Sequence, residues 1–600
     1  MGQKETQKYL NLGILFLVLV GLGLRVWGSS WGLPDLYHPD EDKIVNHALA
    51  FGSGDLNPHY FGWPSLQMYV LFLMYGVYFV SGWLLGQFAS PQEFLVAFAV
   101  DPSTFYLLGR WLSALLGALT IWLTYVAGRR LYGRDVGLIA AVFLGVNYLH
   151  VKDSHYITPD VPVAFMVLAA FYFTVRIIQD PSRKNYLAAG ILAGLAISVK
   201  YPAFVVAFSV FAAHLIAVRT NSVKLLSARA WLAAALIPLG FWIGTPYSLL
   251  DWNNFLIDLQ HQQIQVSRPL PMIERLETTL FLNPLQALGP GLYVCFVAGT
   301  LLCVLRRTSP DILLVSFPIA YVAFLLATGG LQYRYLMPAL PFFCLLAAVF
   351  LSRATGALKG RFLSRAWAHT FTVAATLTFA FLPAYRAVAL DLSLARPDTR
   401  TLAKEWVEQN VPGEAHIAVE SYGPSLISSP RAVPSREDTS ISVEDWLQHR
   451  NKITEKSIYG KLKDSRLGRD WKAYNSLIDG ASESAQQGRP RYRIFRLRPI
   501  PYVWQLRLET GQLREGDVKA YPEFKHFFEP AQFLCENNID YVVLSSGADT
   551  GRKMESIIER QGDLLHRVET SATGWLGDLP FYSFHNPAIE IFKLRSRCRS

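Results

Sequence analysis

Long apolar runs recur along the first two thirds of the chain, and short polar clusters separate them. They occupy residues 10–27, 64–88, 105–127, 136–149, 161–175, 187–198, 203–217, 231–243, 291–305, 312–327, 335–351 and 371–382. Runs of this length suit helices that cross a bilayer. Their flanks carry an orientation signal. Lys4 and Lys8 precede the first run, and basic clusters follow at Arg129, Arg130 and Arg134, at Arg176, Arg183 and Lys184, and at Arg219, Lys224 and Arg229. Further clusters lie at Arg306 and Arg307, and at Arg353, Lys359, Arg361 and Arg365. Cytoplasmic loops collect such charges. All the clusters fall on one side if the 64–88 run is re-entrant, lies along the outer face or forms a hairpin with 94–100; a non-crossing, re-entrant or juxtamembrane element is the prediction. The pattern then predicts about eleven crossings, a cytoplasmic N-terminus and an extracytoplasmic tail.

From residue 391 the pattern changes. The tail is charged and spaced by prolines, and it lacks long apolar runs. Asp398 is placed to cap an amphipathic helix through Trp406. Residues 416–420, 539–544 and 589–594 read as strands, and 533–537 as a helix. The expectation is a transmembrane domain over 1–390 and an extracytoplasmic α/β domain over 391–600. The polar, basic stretch 435–499 gives no assignable pattern.

Composition sharpens this picture in a few places. Hydrophobic residues make up 52% of the 600 and charged residues only 17%, which excludes a single water-soluble domain. The net charge of +10 sits largely in the loops between spans, so it signals topology and not nucleic-acid binding. Five cysteines are too few for a disulfide scaffold; Cys535 and Cys598 in the tail are a candidate pair that spacing alone does not establish. The first apolar run lacks a small-residue cleavage site and reads as a retained helix.

The candidate chemistry lies where charges oppose these rules. The loop after the first run holds Asp35, Asp40, Glu41, Asp42 and Asp55. Adjacent carboxylates at a membrane interface suit a general base, a metal ligand or both. Asp40 also suits the cap of a helix running to Ala50, and Asp160 the cap of the next element. Arg110, Lys200 and Arg334 stand at the outer ends of spans, against the orientation bias, beside Tyr201, Tyr333 and Tyr335. Cations so placed suit an anionic ligand such as a lipid-linked phosphate. Arg25 and Lys152 suit snorkelling to headgroups. His38, His59 and His155 have no metal-ligand spacing.

Taken together, these stretches resemble the lipid-carrier-dependent glycosyltransferases of the GT-C superfamily, of the protein O-mannosyltransferase and aminoarabinose-transferase type (glycosyltransferase family 39). The resemblance rests on Pro39-Asp40-Glu41, His59-Tyr60-Phe61-Gly62-Trp63-Pro64, Gly109-Arg110-Trp111-Leu112-Ser113-Ala114-Leu115 and Tyr156-Ile157-Thr158-Pro159-Asp160. Val199-Lys200-Tyr201 and Arg334-Tyr335-Leu336-Met337-Pro338 complete it in the family's order. Relatives often carry Lys-Pro or Pro-Pro where this chain has Trp63-Pro64, and the 245–286 loop matches no acceptor signature.

The resemblance implies a polytopic α-helical membrane protein of GT-C type with a C-terminal external α/β domain. It implies inverting transfer of a sugar from a polyprenyl-phosphate donor to an acceptor hydroxyl outside the cytoplasm, at an inner or plasma membrane. Asp40 would be the base and Glu41 its support. Asp160, His155 and Tyr156 would shape the acceptor or sugar site, and Arg110, Lys200, Arg334, Tyr201 and Tyr335 would hold the donor phosphate. The acceptor is left open among proteins, lipids and glycans, and no nucleic acid is expected. A divalent metal is left open, with no ligand set assigned. The alternative is a transporter or flippase of a carrier lipid or anionic substrate, against which the sequence offers no repeated halves.

Overall fold

The computed structural model describes residues 3–266, 271–329, 332–358, 365–420, 422–427, 488–497, 525–546, 552–569 and 587–595. The chain divides into two compact units. The first comprises Met1–Ser29, Pro39–Ala89 and Thr104–Asp391; the second comprises Ser30–His38, Ser90–Ser103 and Leu392–Ser600.

The first unit is helical. Among the described residues seven helices of the chain are long and apolar enough to cross a membrane, Leu66–Leu84 among them. The run expected not to cross is thus one continuous helix of 19 residues, with length and composition for a span. Shorter apolar helices cover Asn11–Val26, Pro91–Val100, Ala228–Gly244 and Pro290–Arg306. The expected crossings at 136–149 and 187–198 are the 12-residue helix Arg134–Gly145 and the 15-residue helix Arg183–Ile197. The protein is an integral membrane protein.

Its core gathers around Leu340–Leu358, whose residues from Leu340 to Val349 are buried on every face. A helix apolar all round belongs at the centre of such a bundle. Phe342 there packs 4.7 Å from Phe171 and 4.8 Å from Phe317, measured between ring centroids. Thr308 and Asp311 form a capping box that starts Ser309–Thr328, with Pro310 in its first turn.

Arg183–Ile197 and Ala228–Gly244 approach each other closely. A Cβ on Gly194 would lie 2.1 Å from the Ile237 carbonyl oxygen, and one on Gly240 would lie 2.4 Å from that of Ile191. Small residues let membrane helices meet backbone to backbone. Gly194→Ala should therefore force the pair apart and cost about 1–3 kcal/mol, read as a lower melting temperature of the purified protein.

The second unit holds a five-stranded sheet in the order β2-β1-β3-β5-β4, with β1 His416–Glu420, β2 Arg493–Leu497, β3 Tyr541–Ser545, β4 Gly562–Val568 and β5 Ile589–Leu594. β1 pairs in parallel with β2 and β3, whereas β5 runs antiparallel to β3 and β4. Asp398 caps Thr399–Asn410 by accepting from the Arg400 amide at 2.8 Å, as the sequence predicts. Ser30–His38 is held in this unit by paired charges and rings. Trp31 Nε1 donates to Asp398 at 3.0 Å, Lys404 meets Asp35 at 2.5 Å, and the Arg400 guanidinium lies 4.1 Å from the Tyr37 ring centre. Cys535 is in a disulfide; Cys598 lies outside the described residues, as does most of 435–499.

Candidate functional site

Four of the charged residues that the sequence singles out sit at or near helix ends. Asp40 precedes Glu41–Ala50, and Asp160 opens Asp160–Gln179. Lys200 follows Arg183–Ile197, and Arg334 lies in the short 3-10 turn Tyr333–Ala339 ahead of Leu340–Leu358. Pro159 and Pro338 stand at these breaks, where a missing N–H costs least.

Two ion pairs form here. Arg334 Nη1 donates to Asp40 Oδ2 at 3.0 Å, and Lys200 Nζ reaches Asp160 Oδ1 at 2.5 Å. Arg334 is within electrostatic reach of Asp160 as well as Asp40, which links the two pairs. Gln332 Oε1 accepts from Arg334 Nε at 2.9 Å and orients the guanidinium. The Lys200 ammonium lies 5.1 Å from the Tyr335 ring centre, a cation–π contact. Asp40 makes no capping bond to its helix. Its second oxygen instead takes Lys43 Nζ at 2.8 Å, three residues along the chain. The Lys43 side chain is 42% exposed against 31% for Arg334, so it is the easier partner to displace. Asp160 likewise pairs instead of capping. Next to Asp40, burial pushes the Asp42 carboxyl above its ordinary range while Lys43 pulls it back.

Glu41 and Arg110 form a separate, fully buried pair. Arg110 Nε and Nη2 donate to the two Glu41 oxygens at 2.8 and 2.6 Å, and Arg110 Nη1 donates to the Ser29 carbonyl at 2.7 Å. Glu41 also accepts from the Ile157 amide at 3.0 Å. This bidentate pair ties the helix start next to Asp40 to the segment before Asp160. Arg110, expected to hold the donor phosphate, is paired with Glu41 here, and its side chain is 1% exposed.

Other expected residues are also engaged elsewhere. Both ring nitrogens of His155 lie 2.9 Å from backbone carbonyl oxygens, of Val151 and Trp27, so its polar atoms hold the fold. The Tyr201 phenol donates to the Phe61 carbonyl at 2.7 Å, and its ring packs against Phe241 and Phe255. Tyr156 is buried within electrostatic reach of Arg110, Glu41, Asp153 and Tyr148. Arg25 does not snorkel: it is fully buried and donates to the carbonyls of Gly21, Leu144 and Gly145. Lys152 does not snorkel either, pairing with Asp153 at 3.0 Å and lying 4.9 Å from the Tyr333 ring centre. Of the loop carboxylates, Asp35 is taken by Lys404 and Asp55 by His59. Among the described residues no three His, Cys, Asp or Glu side chains gather as a metal set.

Residues 107–243 match the family described as dolichyl-phosphate-mannose-protein mannosyltransferase. The chain is 35% identical over 127 residues to dolichyl-phosphate-mannose–protein mannosyltransferase 1 of Saccharomyces cerevisiae, covering 20% of this chain and 15% of that protein. It is 31% identical over 129 residues to dolichyl-phosphooligosaccharide-protein glycotransferase 2 of Pyrococcus furiosus, covering 20% and 17%. These matches span less than a fifth of either curated relative. Among solved structures, ArnT from Cupriavidus metallidurans bound to undecaprenyl phosphate aligns over 98% of this chain and 99% of that one, at 14% identity and a TM-score of 0.42. The resemblance carried by the motifs is thus met over a stretch that holds Arg110, Asp160 and Lys200; Asp40, Glu41 and Arg334 lie outside it.

Proposed function

We propose, from a membrane domain similar to lipid-linked glycosyltransferases, that this protein transfers a sugar from a polyprenyl-phosphate donor to an acceptor hydroxyl. The observation that carries this reading is the meeting of Asp40, Asp160, Lys200 and Arg334, drawn from four distant parts of the chain. A transporter does not require a carboxylate base beside cations at helix ends, whereas glycosyl transfer from a phosphate requires both.

Asp40 accepts the proton of the acceptor hydroxyl as its oxygen attacks the anomeric carbon. The bond from that carbon to the lipid phosphate breaks, and the electron pair leaves with the phosphate. Attack opposite the leaving group inverts the anomeric centre. Arg334 and Lys200 meet the charge that develops on the departing phosphate, with Tyr335 set against Lys200. When phosphate arrives, the cations exchange their carboxylate partners for it, which releases Asp40 and Asp160 towards the acceptor and sugar. Glu41 and Arg110 position the loop. The site faces the extracytoplasmic side, where a carrier lipid supplies activated sugar.

Incubation of the purified protein with a panel of polyprenyl-phosphate sugars and candidate acceptors tests this. Free polyprenyl phosphate should accumulate as glycosylated acceptor forms; no release from any donor would overturn the reading. Arg334→Ala should raise the KM for donor about 10–100-fold, the weight of a hydrogen bond to a charged group, and leave the acceptor KM within about two-fold.

A further inference from the structure

Beside the two ion pairs lies a second polar cluster that the proposed reaction does not use. The helix Tyr148–Asp153 contributes Tyr148, Lys152 and Asp153, Tyr333 comes from the turn that carries Arg334, and Arg386 from Arg365–Leu394. Asp153 Oδ1 meets Lys152, but Oδ2 is buried with no hydrogen-bond partner. The Tyr148 hydroxyl is also buried and unpartnered. The Tyr148 side chain is within electrostatic reach of Asp153, Lys152, Tyr333 and Arg386, and Asp153 is within reach of Asp160 and Arg334. Buried polar atoms left without partners cost stability, and two in one cluster next to the reacting groups call for a ligand.

We propose that Asp153 and Tyr148 bind the hydroxyls of the transferred sugar, and that this sugar is uncharged. This rests on the glycosyltransferase reading above. A ring hydroxyl donates to Asp153 Oδ2, and a neighbouring hydroxyl pairs with the Tyr148 phenol. Charge decides the class. An ammonium on the sugar would suit Asp153 but meet Lys152 and Arg386, and a carboxylate would suit those cations but meet Asp153 and Asp160. Only a neutral ring fits both signs.

The test uses the purified full-length protein with polyprenyl phosphate carrying a neutral hexose, a neutral pentose, an amino sugar or a uronic acid. The wild type should release lipid phosphate from a neutral donor at least about 10-fold faster than from either charged one, the effect of a few unpaired polar contacts. Tyr148→Phe removes one buried hydroxyl, so a purely structural group would leave the protein equally stable or more so. In the proposed role it raises donor KM about 10-fold, with acceptor KM and melting temperature unchanged. Asp153→Asn should do the same where it folds, and Tyr148→Phe alone decides where it does not. Unchanged donor KM in Tyr148→Phe, the result expected if a buried water satisfies these atoms, overturns the subsite while leaving the transferase reading in place. Preference for the amino sugar or uronic acid overturns the neutral class. Release from no donor overturns both.

Discussion

Asp40→Asn is expected to lower the turnover number about 10²–10⁴-fold, the usual weight of a general base. The amide keeps the shape of the side chain and still faces Arg334 and Lys43, so the helix start and the loop should survive. What it loses is the capacity to take a proton. Donor binding should therefore persist, with polyprenyl-phosphate sugar protecting the variant against thermal unfolding as it does the wild type. A variant that binds donor but does not consume it identifies the base. Full activity in Asp40→Asn would remove the carboxylate from the mechanism and leave Asp160 as the other candidate.

Glu41→Ala should act differently, through stability. It takes from the buried Arg110 guanidinium both oxygens of its carboxylate and deprives the Ile157 amide of its acceptor. Breaking a buried pair on one side costs about 3–5 kcal/mol, whereas replacing both partners with apolar residues of similar volume is far milder. The double variant Glu41→Leu/Arg110→Met should therefore melt higher than Glu41→Ala. A non-additive result of this kind identifies a pair that positions the site. Equal melting of the single variant and the wild type would show that the pair does not hold the loop.

These two effects separate what the sequence reveals from what only folding creates. Arg110, Lys200 and Arg334 are legible because cations at the outer ends of apolar runs break an orientation bias. Their partners are not legible. Arg110 lies 69 residues from Glu41, and Arg334 lies 294 from Asp40, and no local period links such positions. Hence Arg110 reads as a phosphate ligand in sequence, while its pairing with Glu41 is visible only in the fold. Asp40 and Asp160 look like helix caps in sequence, because a cap needs only an Asp at a helix start; side-chain direction decides against it. Asp398 follows the same pattern and does cap.

Strand legibility follows burial. β1 and β5 alternate or run apolar and are read at their observed bounds, whereas β4 exposes most of its residues and carries no apolar period. The 30–38 segment looks like part of the acidic loop by charge alone. Its Asp35 is instead matched by Lys404, 369 residues later, and its rings by Arg400. Parity of basic loops assigns a non-crossing role to 64–88, but an unbroken helix there has the length and composition of a span. Charge counts register sides and do not register breaks in a helix.

The most direct measurement is an experimental structure of the full chain with polyprenyl phosphate bound. Phosphate oxygens should lie within hydrogen-bond distance of the Arg334 guanidinium and the Lys200 ammonium, with Asp40 released from Arg334 and Glu41 still paired to Arg110. Phosphate bound away from both cations, with the Asp40–Arg334 and Asp160–Lys200 pairs intact, would contradict this mechanism.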